Sequence, residues 1–361
     1  MILTIIIVFI SIIGLLAFHE FGHFIFAKKF GVKVEEFGFG IPPRIWGKKI
    51  GETIYSINLI PIGAFVRILG EEEKNDDPRS FTKKPIWQRI LIILGGVLSF
   101  WIIAVILLSI IAAMGAPKVV EDTDNSNLLN PKVQILAVVK NSPAEKAGIR
   151  MGDFIEKMKS PEQEITIEKL KQVQDLANLN KGKEITITLE RGKEFLEVSL
   201  VPRISYPEGE GAMGVSLARV AIKKYPWYQA PIEGINETKD LTIAAIDGWV
   251  QIFSSLMAKK GLPAGAEFIG PVGLFQLFFQ MEQLGIIYFL RFVAIVSIFL
   301  ALFNILPIPA LDGGKMLFLI IEAIRKKPIK PELEQKITAA FFILLIGIMI
   351  LVTIKDVIKL F

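Results

Sequence analysis

Four long apolar runs set the limits on what this chain can fold into. Met1–Ala27 is broken by a single polar group, Ile90–Ala116 carries no charge, Phe292–Leu311 runs into the motif NILPIPALDGG, and Ile337–Ile354 is apolar with one threonine at each end. About 20 apolar residues cross a ~30 Å hydrocarbon core as a helix, so each run is long enough, or nearly so, to be a span. The 361 residues are 52% hydrophobic, more than a water-soluble chain of this length ordinarily carries. A multi-pass α-helical membrane protein is therefore expected. The net charge of +5 is carried by lysines and arginines grouped at the ends of apolar runs, which suits a membrane surface and not nucleic acid. There is no cysteine, which excludes disulfides and thiolate metal sites. The first run lacks a basic start and a small-residue cleavage site, so it is read as a retained helix.

A fifth apolar stretch, Leu241–Met257, holds Asp247. Its Ile243, Ile246, Val250, Phe253 and Met257 recur at helical spacing, the pattern of a helix lying on the membrane or on the protein. Basic clusters follow the first run (Lys28, Lys29, Lys33), precede the second (Arg79, Lys83, Lys84, Arg89) and separate the third from the fourth (Arg325, Lys326, Lys327, Lys330). All three are cytoplasmic if the N-terminus starts outside. The region between the second and third spans is then extracytoplasmic, as is the C-terminus. Val32–Arg67 alternates between Gly/Pro punctuation and reads as short β-hairpins, Val119–Ile204 reads as a compact α+β domain, and the acidic run Glu71–Asp77 reads as a solvated loop.

The chain has only two histidines, and both lie in the first run, in LLAFHEFGHFIFAKK. Positions four apart share a helix face, so His19 and His23 can chelate one cation. Glu20 beside them can reach a metal-bound water without being a ligand. This is the HExxH arrangement of zinc hydrolases, with Glu as general base. A metal acidifies its bound water to a pKa near 7. The bland alternative, histidines merely packed in an apolar helix, leaves polar groups in lipid at ~2.5–3.5 kcal/mol for a charged one. At ~1.5 Å rise per residue, His19 lies roughly 13 Å and His23 roughly 8 Å from Lys28, inside the membrane on its cytoplasmic side. A catalytic zinc needs a third protein ligand. Without another histidine or any cysteine it must be Asp or Glu. Asp312, in NILPIPALDGG, is the candidate, because Pro307, Pro309, Gly313 and Gly314 break the helix there and broken backbone at membrane depth lines polar cavities.

HEFGH in the first run and NILPIPALDGG in the third resemble the site-2 protease family of intramembrane zinc metalloproteases, most closely the bacterial type with one extracytoplasmic PDZ domain. FTKKPIWQRILIILGG, NSPAEKAGIRMGDFI and GPVG at Gly270–Gly273 also resemble that family, so the likeness covers nearly the whole chain. It implies one Zn2+ per chain held by His19, His23 and Asp312, Glu20 as the catalytic base, and Asn304 as a residue that helps hold substrate. It implies regulated intramembrane proteolysis of single-span substrates, such as anti-sigma factors or remnant signal peptides, after a first extracytoplasmic cut, in the cell membrane. Two positions depart from the family's pattern. Ser99 stands where an Asn is frequent in span two, and Lys315 where many members have His after DGG.

The resemblance divides the chain into a transmembrane helix with HExxH (1–27), a cytoplasmic-side β-loop region (28–89), a second transmembrane helix (90–116) and a PDZ-like domain (117–205). An extracytoplasmic membrane-associated amphipathic region (206–283), a third transmembrane helix with the LDG motif (284–324), a cytoplasmic loop (325–336) and a fourth transmembrane helix (337–361) follow. The GAMGV stretch at Gly211–Val215 is a candidate carboxylate-binding loop for the PDZ-like domain. The competing reading is a non-catalytic membrane adaptor with a PDZ-type peptide-binding module. A metal transporter would need several acidic or histidine sites along a path, and only one cluster is visible.

Overall fold

A computed structural model describes residues 2–71, 75–123, 129–192, 194–207, 210–259, 261–263 and 268–359. The acidic run is thus described only at Glu71 and from Asn75 on. Two compact units are present: Met1–Ser109 with Pro231–Met281 and Leu290–Phe361, and Ile110–Ala230 with Glu282–Phe289.

In the first unit, α1 (Ile2–Lys29) and α2 (Ile86–Met114) are helical from end to end, since neither holds a proline and their residues are mostly apolar. Between them, β1 (Val34–Ile50) and β2 (Thr53–Ile68) form one long antiparallel hairpin in place of several short ones. It folds back on itself. Phe37 faces Val66 on one side and Tyr55 on the other, while Lys48 also faces Tyr55, so two strands supply four sheet rows. The buried Glu36, in the row between 64–68 and 53–58, accepts from Ser56 Oγ (2.6 Å) and Arg44 Nη2 (2.6 Å). Burial works against its charge, but these bonds and the two arginines hold its carboxyl below the usual carboxylate range. At the hairpin tip Glu52 takes Lys28 Nζ at 2.8 Å and Arg79 Nη1 at 2.7 Å, fastening the sheet to the end of α1. The hydrogen bond from Lys28 keeps Glu52 low as well.

The second unit is an α+β domain. Its strands are β3 (Ala116–Val119), β4 (Leu129–Val138), β5 (Phe154–Lys159), β6 (Glu164–Thr166), β7 (Ile185–Arg191), β8 (Glu194–Leu200) and β9 (Val215–Lys223), with α3 (Pro143–Lys146) and α4 (Leu170–Leu179). The sheet order is β3-β9-β4-β5-β7-β8, with β6 on β5, and every pairing is antiparallel. Alternating side chains bury Val133, Ile135, Ile155 and Ile187 against Val173 and Leu176 of α4. The expected limit at residue 205 falls short. β9 lies between β3 and β4, so the domain runs on to Lys223. Strand patterning alone hid this, because β9 follows a Pro/Gly-rich stretch that looks like a domain end. The GAMGV loop turns inward there. Met213 is buried, and its carbonyl accepts the Ala144 N–H at 3.1 Å.

α5 (Ala230–Met257) starts eleven residues before the predicted amphipathic stretch; its first half packs against protein, while Ile243, Ile246, Val250, Phe253 and Met257 of that stretch are exposed. A Cβ on Gly234 would meet Ser109 Oγ at 2.2 Å, Trp101 Nε1 donates to Thr242 Oγ1 at 3.2 Å, and Glu237 pairs with Arg291. α6 (Pro271–Leu284) opens on the GPVG motif, where Asp356 accepts the Gly273 N–H at 2.8 Å. α7 (Ile286–Asn304), α8 (Asp312–Arg325) and α9 (Pro331–Ile358) complete the chain. The predicted third span therefore shifts and splits: α7 begins six residues before Phe292, ends at Asn304, and leaves Asp312 to a separate helix. Pro307 and Pro309 cannot continue α7, and Leu311 is extended ahead of α8. Among the described residues, four helices are long and apolar enough to cross a membrane: Ile5–Lys29, Ile86–Met114, Ile286–Asn304 and Pro331–Ile358.

Candidate metal centre

The HEFGH segment lies in α1, on the side where α1 meets α2. Glycines set that approach. A Cβ on Gly22 would lie 2.1 Å from the Gly95 carbonyl oxygen, and one on Gly95 would lie 2.6 Å from Phe26 Cδ2. Small residues at a helix crossing let two backbones come this close. Gly96 gives the same room to His23. A Cβ there would meet the imidazole Cε1 and Nε2 at 2.3 Å. The His23 ring is oriented by its Nδ1, which donates to the Ile92 carbonyl of α2 at 2.9 Å and leaves the Nε2 lone pair for another partner. His19 is stacked on Phe100 of α2, with centroids 4.7 Å apart and planes 17° apart. Ser297 of α7 in turn donates to the Phe100 carbonyl at 2.7 Å.

Asp312 arrives from the other side. Segment 305–311 folds tightly onto the first turn of α8, and the DGG glycines make this possible. A Cβ on Gly313 would lie 2.2 Å from the Leu306 oxygen, and one on Gly314 would lie 2.2 Å from the Ile308 oxygen. Thr338 of α9 holds the loop from behind through the Pro309 carbonyl at 3.1 Å. Met316 and Leu319 of α8 share a core with Ala27, Ile68, Phe81 and Ile92, which fixes α8 against α1, α2 and the sheet.

These elements bring together the three side chains expected as ligands. His19 Nε2 and His23 Nε2 are 3.2 Å apart, and Asp312 Oδ2 is 3.2 Å from the first and 3.4 Å from the second. Zinc bonds of about 2.0–2.1 Å at tetrahedral angles put donor atoms ~3.4 Å from one another. Asp312 Oδ2 is buried without a hydrogen-bond partner, as is His19 Nδ1. Three buried acceptor-type atoms facing one point is the arrangement a divalent cation satisfies, and the N2O donor set suits zinc. The residues present thus fit the ion.

Glu20 stays outside the triad. Its Oε2 accepts the Val66 N–H of β2 at 3.0 Å. Residues 64–68 form an outer row of the sheet, so the same edge that meets Glu20 runs past the site. Asn304 is placed differently from the other candidates. It is the last residue of α7, half-buried, and its amide donates to the Leu300 carbonyl at 2.9 Å. Ser99 donates to the Gly96 carbonyl at 2.6 Å, and Lys315 pairs with Glu71 at 2.7 Å. Sequence reasoning passed over Gly22, Gly95, Gly96 and Phe100. The available signal was a glycine pair in the uncharged run Ile90–Ala116 and a glycine inside HEFGH.

The profile of peptidase family M50 matches residues 7–348. A Clostridium perfringens protein with a provisional zinc metalloprotease name is 34% identical over 353 residues, covering 96% of each chain. The Bacillus subtilis protein named regulator of sigma-W protease RasP is 28% identical over 442 aligned residues, covering 99% of each. The Shouchella clausii zinc metalloprotease RasP is 28% identical over 438, covering 98% of each.

Proposed function

This chain belongs to peptidase family M50, the site-2 proteases, and as such is a membrane zinc metalloprotease; from that premise we propose that it hydrolyses peptide bonds within the transmembrane segments of single-span proteins. The observation that carries the reading is the His19–His23–Asp312 triad with Glu20 one residue away, all on elements locked together by α2 and α8. In this reading His19, His23 and Asp312 hold the ion. Bound zinc supplies Lewis-acid polarisation of the scissile carbonyl and a water acidic enough to ionise near neutral pH. Glu20 takes the proton from the attacking water and delivers it to the leaving amine. The Val66 N–H holds one Glu20 oxygen, which aims the other, and burial keeps bulk water from competing.

A helical substrate hides its carbonyls in its own hydrogen bonds and has to unwind before attack. The outer row 64–68 offers main-chain partners to the extended segment by strand addition, next to the general base. Asn304 at the end of α7 is assigned to holding that segment through its amide oxygen, since its nitrogen is engaged with Leu300. The α+β unit is the PDZ-like domain. It is assigned to the extracytoplasmic side as a gate that admits substrates trimmed by a first protease, with the site in the cytoplasmic half of the membrane. The Bacillus subtilis relative is named as a regulator of sigma-W, and a membrane-anchored anti-sigma factor is the substrate class proposed here. The test is cleavage of a purified single-span substrate in detergent or liposomes, with bound zinc counted. The proposal stands if cleavage is chelator-sensitive and maps within the span, and falls if a zinc-loaded chain leaves the span intact.

A further inference from the structure

The two histidines of the triad are oriented by different means. His23 is held by a hydrogen bond from its Nδ1 to the Ile92 carbonyl at 2.9 Å. His19 has no counterpart to that bond: among the described residues, none hydrogen-bonds its buried Nδ1. Two rings meet it instead. The Phe100 ring lies nearly parallel to it, with centroids 4.7 Å apart and planes 17° apart, and the His23 ring meets it edge-on at 4.7 Å and 81°. Ile92, Gly96 and Phe100 recur every four residues and so share one stripe of α2. That stripe supports both histidines: Ile92 and Gly96 seat His23, and Phe100 backs His19. Phe100 is itself fixed. It is fully buried, and its carbonyl accepts the hydroxyl of the fully buried Ser297 of α7 at 2.7 Å. A carbonyl in a helix interior already has its helical partner, so this bond is an additional one that ties α2 to α7 at the turn beside His19.

An imidazole that binds a metal almost always has its other nitrogen hydrogen-bonded, which fixes the ring. A stacked aromatic ring fixes the imidazole plane in another way, by attraction spread over the whole face. An apolar partner also brings no further polar group that would need satisfying at depth. We propose that Phe100 is the positioning residue for His19, held in register by Ser297 of α7. Phe100 touches neither ion nor substrate in this role. It keeps His19 Nε2 aimed at the point shared with His23 Nε2 and Asp312 Oδ2. Leucine in its place keeps the core apolar but presents no flat face. The His19 ring is then free to turn about its own side-chain bond, while Ile92 still holds His23. The centre loses the direction of one ligand and keeps its ligand set. This role rests on the triad being a metal centre and is independent of the cleavage chemistry.

The full chain in detergent, stripped of metal, is titrated with Co2+, whose visible d–d band reports ligand geometry. Phe100→Leu is expected to bind Co2+ about 10–100-fold more weakly, the range for losing a group that orients a ligand, and with a band shifted from that of the unaltered chain. Leu108→Ala removes a buried apolar side chain two turns further along α2 and is expected to leave both band and affinity unchanged. Ser297→Ala keeps the ring but frees the Phe100 carbonyl, and is expected to shift the band in the same direction to a smaller extent. Band and affinity unchanged in Phe100→Leu, or changed equally in Leu108→Ala, overturn the proposal. If Phe100→Leu fails to fold, judged by far-UV circular dichroism and a cooperative melt, Ser297→Ala decides, and an unchanged band there overturns it. An unaltered chain that takes up no Co2+ removes the metal centre and this role with it, a failure distinct from a bound ion whose band is indifferent to Phe100.

Discussion

Replacing Gly96 by Ala tests how the site is held, because it adds one methyl group and changes no ligand. The new Cβ would sit 2.3 Å from His23 Cε1 and Nε2 and 2.8 Å from Cδ2. Ordinary contact begins near 3.4 Å, so the ring has to retreat by about 1 Å. The ring cannot pivot freely, since Nδ1 is tied to the Ile92 carbonyl, one turn before Gly96 on the same helix. A metal site tolerates shifts of only ~0.2 Å in ligand distance. Disturbing the groups that orient a ligand typically costs 10–100-fold in metal affinity, which corresponds to ~1.4–2.8 kcal/mol. The helix itself gains, because Ala is favoured over Gly by ~1 kcal/mol in a helix interior. G96A should therefore keep its helical content while its zinc affinity, measured by competition with a chromophoric chelator, falls at least tenfold. Cleavage at limiting zinc should fall in parallel and recover in part when zinc is raised. Unaltered zinc affinity in G96A would refute the account of Gly96 as the space that seats His23.

Glu20→Gln should retain one zinc per chain and lower cleavage by ~10²–10⁴-fold, the range for loss of a general base; a variant within tenfold of the unaltered enzyme removes Glu20 from that role. Asp312→Ala leaves two imidazoles for the ion, and purified protein should carry well under one zinc, read by elemental analysis. In the α+β unit, burial opposes ionisation of Glu190, yet the hydrogen bond and charge of Lys132 hold its carboxyl below the usual range. Its contribution to stability is then complete above the unfolded carboxylate pKa of ~4.3 and fades as pH falls through the lower folded value. Lys132→Met should flatten that acid limb in thermal denaturation followed by near-UV circular dichroism. Removing Ala116–Lys223, the whole sheet, should leave cleavage of short-ectodomain substrates intact and extend it to untrimmed ones; a uniform loss of activity speaks against a gate.

Much of the site was legible because its chemistry is costly where it lies. Two histidines and a carboxylate in an otherwise apolar helix demand compensation, and Asp312 in the proline- and glycine-broken LDGG segment was the best candidate for a third ligand. The four spans were legible for the same reason, since composition and length suffice. Boundaries set by tertiary contact were not. β9 joins the sheet only because β3 and β4 flank it, which is not a local property of sequence. The prolines announced that α7 would break, but not that the loop after Asn304 folds onto Gly313 and Gly314. The helix–helix spacing was hidden too, yet it decides the chemistry. Donor atoms ~3.4 Å apart on two helices, α1 and α8, with α2 packed against them, require backbones nearer than ordinary side chains allow. Gly22 against Gly95, Gly96 against His23, and Gly313 and Gly314 against the 305–309 carbonyls each remove the one atom that would keep them apart. The ligand motifs name the chemistry, and the glycines beside them make its distances reachable.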